Sequence, residues 1–118
     1  MQLDYLRDQM AECVRAIGAS EKPIEVVEAG GCLSTVTSDA YLTLASDHES
    51  DRILLRDFSR SMMDSAKILK DAIKKFDFAN SNPQYAALLN PVVDQINERA
   101  LALRTFSPEV ELTGSGSL

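Results

Sequence analysis

The single histidine, His48, is the side chain of this sequence best suited to bind a metal ion or to move a proton at neutral pH. Its neighbours Asp47, Glu49 and Asp51 are acidic. Consecutive residues at a helix start point in different directions, so these groups do not converge without ligands from elsewhere. Ser46 to Glu49 also has the S-x-x-E form of a capping box, which accounts for acidic residues there. We therefore predict a helix start rather than a metal or catalytic site.

Cys13 and Cys32 are the only cysteines, and they are not spaced as a C-x-x-C pair. Cys13 falls among apolar residues at helical spacing, where a cysteine usually serves as a small core residue. Cys32 follows a Gly-Gly pair, which we interpret as a turn. A cysteine nucleophile needs an activating base, and His48 is the only candidate at neutral pH. The sequence indicates no catalytic cysteine.

Acidic residues four apart, such as Asp4, Asp8 and Glu12, resemble the paired carboxylates of a hydrolase or a di-metal site. Di-metal sites in helical bundles need inward-pointing Glu and Glu-x-x-His, and the single histidine does not have that spacing. The sequence also lacks the G-x-G-x-x-G and Walker patterns that bind phosphates. We predict a solvated acidic face, with no catalytic residue, no metal and no cofactor.

The composition is typical of one globular domain. With 118 residues, 45% of them hydrophobic and 25% charged, the chain can bury a single core. The net charge of -6 opposes nucleic acid binding, because that binding depends on Lys and Arg at the phosphates. No apolar run approaches the ~20 residues that span a bilayer, and the N-terminus lacks the pattern of a secretory signal. We expect an intracellular, cytoplasmic protein with no nucleic acid or membrane partner.

The first helix is predicted over residues 2–18. Its apolar residues recur at steps of three and four, which places them on one face of a helix. Gly18 supplies a natural end. The predicted stripe contains Leu3, Leu6, Met10, Cys13, Val14 and Ile17.

Residues 22–46 are predicted to hold one or two minor elements. β-Branched residues on both sides of the glycines at 30–31 fit a short β-hairpin. Alternatively, Pro23 begins a short helix that Gly30 ends, or the segment is irregular. Ser38-Asp39 would then cap a second short helix.

A long helix is predicted over residues 47–77. Charges of alternating sign follow its outer side, where each pair stabilises the helix by only about 0.2–0.5 kcal/mol. Packing of the apolar stripe must therefore hold the fold together. Ile53, Met63 and Ile68 fall outside this stripe, and we select them as candidate partner-binding residues. The stripe contains Leu55, Phe58, Met62, Ala66, Leu69, Ile73 and Phe76.

A last helix is predicted over residues 83–105, because Asn82-Pro83 is a typical helix start. Its stripe stays in phase across Pro91, which favours a kink over a division into two helices. The stripe contains Tyr85, Leu89, Val92, Ile96, Ala100 and Leu103.

Residues 107–118 form a polar tail. Pro108 stops the helix, an alternating segment follows, and the chain ends in Gly and Ser. We expect this tail to be mobile unless a partner holds it. Val110 and Leu112 are its apolar residues, and we add them to the candidate partner-binding residues.

These patterns predict a single helical domain over residues 1–106, followed by the tail. The fold class is all-α or mostly α, a compact bundle of three principal amphipathic helices with coiled-coil-like packing. The favoured function is a non-enzymatic protein–protein interaction module, a small subunit or adaptor of a larger assembly, of structural or viral type among others. One alternative is an acidic inhibitor, immunity protein or dedicated chaperone, and another is a small enzyme using an unrecognised site, for instance with Tyr41 or Tyr85. The expected partner is another protein, in a hetero- or homo-oligomer.

Overall fold

The computed structural model describes residues 2–46 and 52–106, and most of these are helical. The all-α fold class is confirmed, and no β-strand occurs in the part of the chain that is described. The residues around His48 and the tail at 107–118, with Val110 and Leu112, lie outside the described residues. The described residues form helices α1 (Gln2–Gly18), α2 (Pro23–Ala45), α3 (Arg52–Lys75), α4 (Phe78–Ser81) and α5 (Pro83–Phe106).

Helix α1 has the predicted bounds and buries the predicted stripe. After Gly18 the chain turns within four residues, and Ser20 Oγ donates a hydrogen bond to the Ala16 carbonyl at 2.8 Å. Leu3 and Val14 are half-buried at the edges of the stripe. Its centre is buried and contains Leu6, Met10, Cys13 and Ile17.

Helix α2 corrects the prediction for residues 22–46. One helix of 23 residues replaces the minor elements, the hairpin and the Gly-Gly turn. Ser38-Asp39 lies inside this helix and starts no new one. The prediction of three principal helices is therefore wrong, because α2 is as long as α3 and α5 to within one residue. Pro23 does begin the helix, as the alternative interpretation proposed.

Tertiary packing explains why α2 is helical despite its glycines and β-branched residues. A Cβ at Gly30 would lie 2.7 Å from Leu89 Cδ2 and 3.3 Å from Leu69 Cδ1, so the missing side chain lets α2 approach α3 and α5 closely. Thr37 is fully buried, and its Oγ1 donates a hydrogen bond to the Leu33 carbonyl at 2.8 Å. Burial of one whole face outweighs a low intrinsic propensity. That face contains Val26, Ala29, Gly30, Leu33, Thr37, Ala40 and Leu44.

Helices α3 and α5 are antiparallel neighbours. Ser59 Oγ donates a hydrogen bond to the Ala100 carbonyl at 2.7 Å, in a position that is fully buried on both helices. Further along α3 and further back along α5, Leu69 and Leu89 meet beside Gly30. Most of each predicted stripe is buried, whereas Phe76, Tyr85 and Val92 are half-buried against the core. The buried members are Leu55, Phe58, Met62, Ala66, Leu69 and Ile73 in α3, and Leu89, Ile96, Ala100 and Leu103 in α5.

A tight turn joins α3 to α5. Asp77 has a left-handed backbone conformation, with φ of 53°, and its carboxylate accepts a hydrogen bond from Asn80 Nδ2 at 3.0 Å. Asp is among the few residues that adopt this conformation readily. The single-turn helix α4 follows, and α5 begins at Pro83 as predicted. Pro91 lies within α5 without dividing it.

The four long helices form a ring in the order α1, α2, α5, α3. Helix α1 runs parallel to α3, because Arg7 lies over the Phe58 ring near their starts and their ends line one cleft. Helix α2 runs parallel to α5, because Gly30 lies beside Leu89 and, further along both helices, Arg99 lies over the Tyr41 ring. The α3–α5 interface is the most extensive, whereas α1 and α3 contact each other much less. The fold measures 53 × 29 × 18 Å. Within residues 2–46 and 52–106, no helix combines the length and the apolar character needed to cross a membrane.

Candidate functional site

The sparse contact between α1 and α3 leaves a groove between the two helices, here called the α1–α3 groove. In its N-terminal half, a cleft of about 280 Å³ has an apolar floor and a polar rim. The apolar floor includes Met10, Val14 and Ile68. The other lining residues are Arg7, Ala11, Ser61, Asp64 and Ser65.

The C-terminal half of the groove is a second cleft, of about 320 Å³. Ile68 lines both halves, so the two clefts follow one another along the same pair of helices. From Ser61 to Phe76 the groove extends for about 22 Å along α3, at 1.5 Å per residue. The residues of the second cleft are Ile17, Gly18, Ile68, Asp71, Ala72, Lys75 and Phe76.

Small side chains keep the groove open. Ala11 and Ser61 line the N-terminal half from opposite helices, and both are exposed. Ser65 between them is buried and its Oγ donates a hydrogen bond to its own helix, at the Met62 carbonyl, at 2.8 Å. Gly18 has no side chain to offer in the C-terminal half. Side chains this short leave a gap between two helix backbones, and the atoms lining a gap lose dispersion contacts.

The rim of the groove carries both signs of charge. Arg7 stacks on Phe58 with its Cζ 5.1 Å from the ring centroid, at the N-terminal end. Asp64 lines the same cleft as Arg7, and Asp71 and Lys75 line the other cleft. The groove is therefore an apolar strip with balanced charges at its edges, which suits an amphipathic segment better than a highly charged ligand.

Among the described residues, the lining of the groove contains no histidine and no cysteine that could act as a neutral-pH base beside its serines. Across the described residues, no group of three or more His, Cys, Asp or Glu side chains is placed to hold a metal ion. Apolar floor residues and rim charges can bury an apolar face and orient it.

The structure separates the candidate partner-binding residues chosen from the sequence. Ile68 lies half-buried in the groove, whereas Met63 is half-buried against the core. At about 100° per residue, Met63 lies about 140° from Ile68 around α3, so the two do not share a face. Ile53 is 65% exposed near the start of α3, outside both clefts. Val110 and Leu112 lie outside the described residues.

Sequence reasoning missed most of the groove. It assigned Met10 and Val14 to the core stripe of α1 and did not select Ser61, Ser65 or Ala72. The missed signal is a second line on α3, where Ser61, Ser65, Ile68 and Ala72 recur at steps of four, three and four beside the main stripe. Such a line of small residues around one isoleucine predicts a helix face that a neighbour does not fill.

The other residues with chemical potential are dispersed. Cys13 is buried in α1, and Cys32 is exposed on α2 rather than in a turn. Burial raises the pKa of the Cys13 thiol, and the nearby Cys32 raises it further. The acidic residues Asp4, Asp8 and Glu12 are exposed on α1, where Glu12 pairs with Arg15.

The two tyrosines of the enzyme alternative make aromatic contacts. Tyr85 packs edge to face on Phe78, with ring centroids 5.6 Å apart, and Tyr41 lies under the Arg99 guanidinium. Neither tyrosine lines the groove.

No protein family model, no curated protein and no solved structure matches this chain.

Proposed function

We propose that this protein is a non-enzymatic interaction module that binds an amphipathic helix of a partner chain in the α1–α3 groove. One observation carries the proposal: an apolar strip is left open between two parallel helices, while α3 is closely packed against α5. A partner helix laid in the groove would bury its apolar face and complete the packing of α1 and α3. Such a module serves as a small subunit or adaptor of a larger assembly.

The dimensions and charges of the groove define the expected ligand. A strip of about 22 Å matches a helix of about 15 residues, with apolar residues at steps of three and four. Arg7 and Asp64 at one end and Asp71 and Lys75 at the other favour a helix with charges of both signs. Affinity should therefore depend little on salt. A steep loss of affinity in salt would instead favour the acidic inhibitor or chaperone, which binds through its net charge of -6.

Affinity capture with two matched variants tests the proposal. Ile68→Asp places a charge on the groove floor, and Ile53→Asp places the same charge elsewhere on the same helix. The full-length proteins are tagged and used to capture partners from an extract of the native cells. We expect one protein to be captured by the wild type and by Ile53→Asp, and its recovery to fall at least about tenfold with Ile68→Asp.

Folding and oligomeric state are the controls. Circular dichroism should show the same helix content for all three proteins, because Ile68 is only half-buried. Light scattering distinguishes a different partner protein from a second copy of this chain. Equal capture by both variants, or capture of nothing by the wild type, contradicts the proposed function.

A further inference from the structure

The two cysteines of the chain lie at the same level of the antiparallel pair α1 and α2. Ala16 of α1 and Ala29 of α2 line one cleft of about 420 Å³, at the end of the pair where the chain turns. Cys13 precedes Ala16 by one turn on α1, and Cys32 follows Ala29 by one turn on α2, so both cysteines lie one turn further from that end. Cys32 shares this cleft with Ala16, which lies one turn after Cys13 on α1, so the two cysteines occupy neighbouring positions across the interface.

The surroundings of the two thiols differ in a useful way. Cys32 is exposed and lines the open cleft, so a small molecule can reach it. Cys13 is buried and has no comparable access. Burial raises the pKa of the Cys13 thiol, with the nearby Cys32 as a further cause, and this keeps Cys13 unreactive towards reagents in solution. This division suits an attacking thiol and a resolving thiol.

We propose that Cys13 and Cys32 form a reversible disulfide by exchange with a low-molecular-weight disulfide. The Cys32 thiolate attacks one sulfur of glutathione disulfide, which forms a mixed disulfide and releases one glutathione thiolate. Cys13 gives its proton to the released glutathione thiolate and attacks the Cys32 sulfur, which breaks the mixed disulfide, forms the Cys13–Cys32 bond and releases the second glutathione as a thiolate that takes up a proton from water. Two protein thiols are oxidised, and one glutathione disulfide is reduced to two glutathiones.

The bond would fix α1 to α2 outside the α1–α3 groove. It closes a loop over residues 13–32, which contains the whole turn between the two helices. Such a loop constrains the unfolded chain, so the oxidised protein should melt on the order of 10 °C higher than the reduced one. The inference does not depend on the proposed function, because neither cysteine lines the α1–α3 groove.

Peptide mapping after redox equilibration tests the disulfide. The full chain is incubated with glutathione disulfide, free thiols are blocked by alkylation, and the protein is digested with trypsin. Because the bond after Lys22 precedes proline and resists cleavage, Cys13 lies in the peptide 8–15 and Cys32 in the peptide 16–52. We expect these two peptides to be recovered as one species, lighter than their sum by two hydrogen atoms and separated by dithiothreitol.

Two cysteine variants test whether Cys32 reacts with glutathione disulfide first and Cys13 resolves the mixed disulfide afterwards. In Cys13→Ser, the Cys32–glutathione adduct should accumulate at least about tenfold over the wild type, because no thiol resolves it. In Cys32→Ser, neither the adduct nor the disulfide should form at a comparable rate. Recovery of a lasting Cys32–glutathione adduct in the wild type, of a dimer linked through Cys32, or of a disulfide form that melts below the reduced protein would overturn the inference.

Discussion

Helix α3 has two flanks that differ in how completely they are packed. Towards α5, the side chains interlock and a buried hydrogen bond joins Ser59 to Ala100 across the interface. Towards α1, the line that contains Ser61 and Ile68 borders an open groove. Both flanks belong to the same continuous helix.

The difference between the flanks suggests separate roles, stability for the flank towards α5 and binding for the flank towards α1. Free energy of unfolding comes from the closed flank, where apolar side chains are fully removed from water. The open flank contributes less to stability, because Val14, Ile68 and Phe76 along it are only half-buried. A partner that covers them would gain the burial that the fold has left unused. Substitutions on the two flanks should therefore separate stability from binding.

Alanine substitutions at two neighbouring residues of α3 should differ most in the free energy of unfolding that they remove. Leu69 is fully buried, and Leu69→Ala should lower the free energy of unfolding by about 2–5 kcal/mol through lost burial and a cavity. Ile68→Ala in the groove should cost about 1 kcal/mol, because Ile68 is half-buried. Urea denaturation of the two variants measures both values. Equal losses would show that the groove is packed as tightly as the core.

Alanine substitutions at the two adjacent glycines of α2 should change the free energy of unfolding in opposite directions. Gly30→Ala puts a methyl group within 2.7 Å of Leu89 Cδ2, and the core must shift, which should lower the free energy of unfolding by about 1–2 kcal/mol. The methyl group of Gly31→Ala meets nothing within 4 Å. Because alanine has a better helix propensity than glycine, this variant should raise the free energy of unfolding by about 0.5–1 kcal/mol. Thermal melting followed by circular dichroism reports both. A stabilising Gly30→Ala would mean that the Leu89 and Leu69 side chains make room for the new methyl group at little cost.

Alanine substitutions at two serines of α3, one on each flank, should show the same difference with smaller changes in the free energy of unfolding. Ser59→Ala removes the hydrogen bond to the Ala100 carbonyl and should cost about 1 kcal/mol, because both groups are buried. Ser61→Ala, on the exposed edge of the groove, should change stability by no more than about 0.5 kcal/mol. The same urea titration compares them. A larger loss at Ser61 than at Ser59 would reverse the assignment of the two flanks.

The smallest effect is expected away from both flanks, at the start of α2. Hydrogen bonds from the Glu21 and Lys22 backbone amides lower the pKa of Glu25. A lowered pKa stabilises the fold at neutral pH, and this contribution is lost as pH falls through the folded-state value. Glu25→Gln should therefore be slightly less stable than the wild type at pH 7 and equal to it in acid. A difference that persists unchanged below the pKa of Glu25 would show that the charge has no part in it.

Periodicity predicted most of the fold because α1, α3 and α5 each have one apolar face. It failed for α2, where apolar residues occur on more than one side and Gly30 resembles a turn. The reason for Gly30, a close approach to Leu69 and Leu89, is a tertiary contact that no local pattern encodes. The groove was predicted only at Ile68, since whether a face is covered depends on how the helices are arranged.

Photocrosslinking from the two sides of α3 tests the central claim most directly. A photoreactive amino acid is placed at Ser61 in the groove or at the exposed Lys70, about 180° away around α3, in the full-length protein within its native cells. We predict that irradiation links position 61, and not position 70, to one protein through a segment with an amphipathic helical pattern. Equal crosslinking from both positions, or crosslinking only from position 70, would contradict the claim that the α1–α3 groove is the binding site.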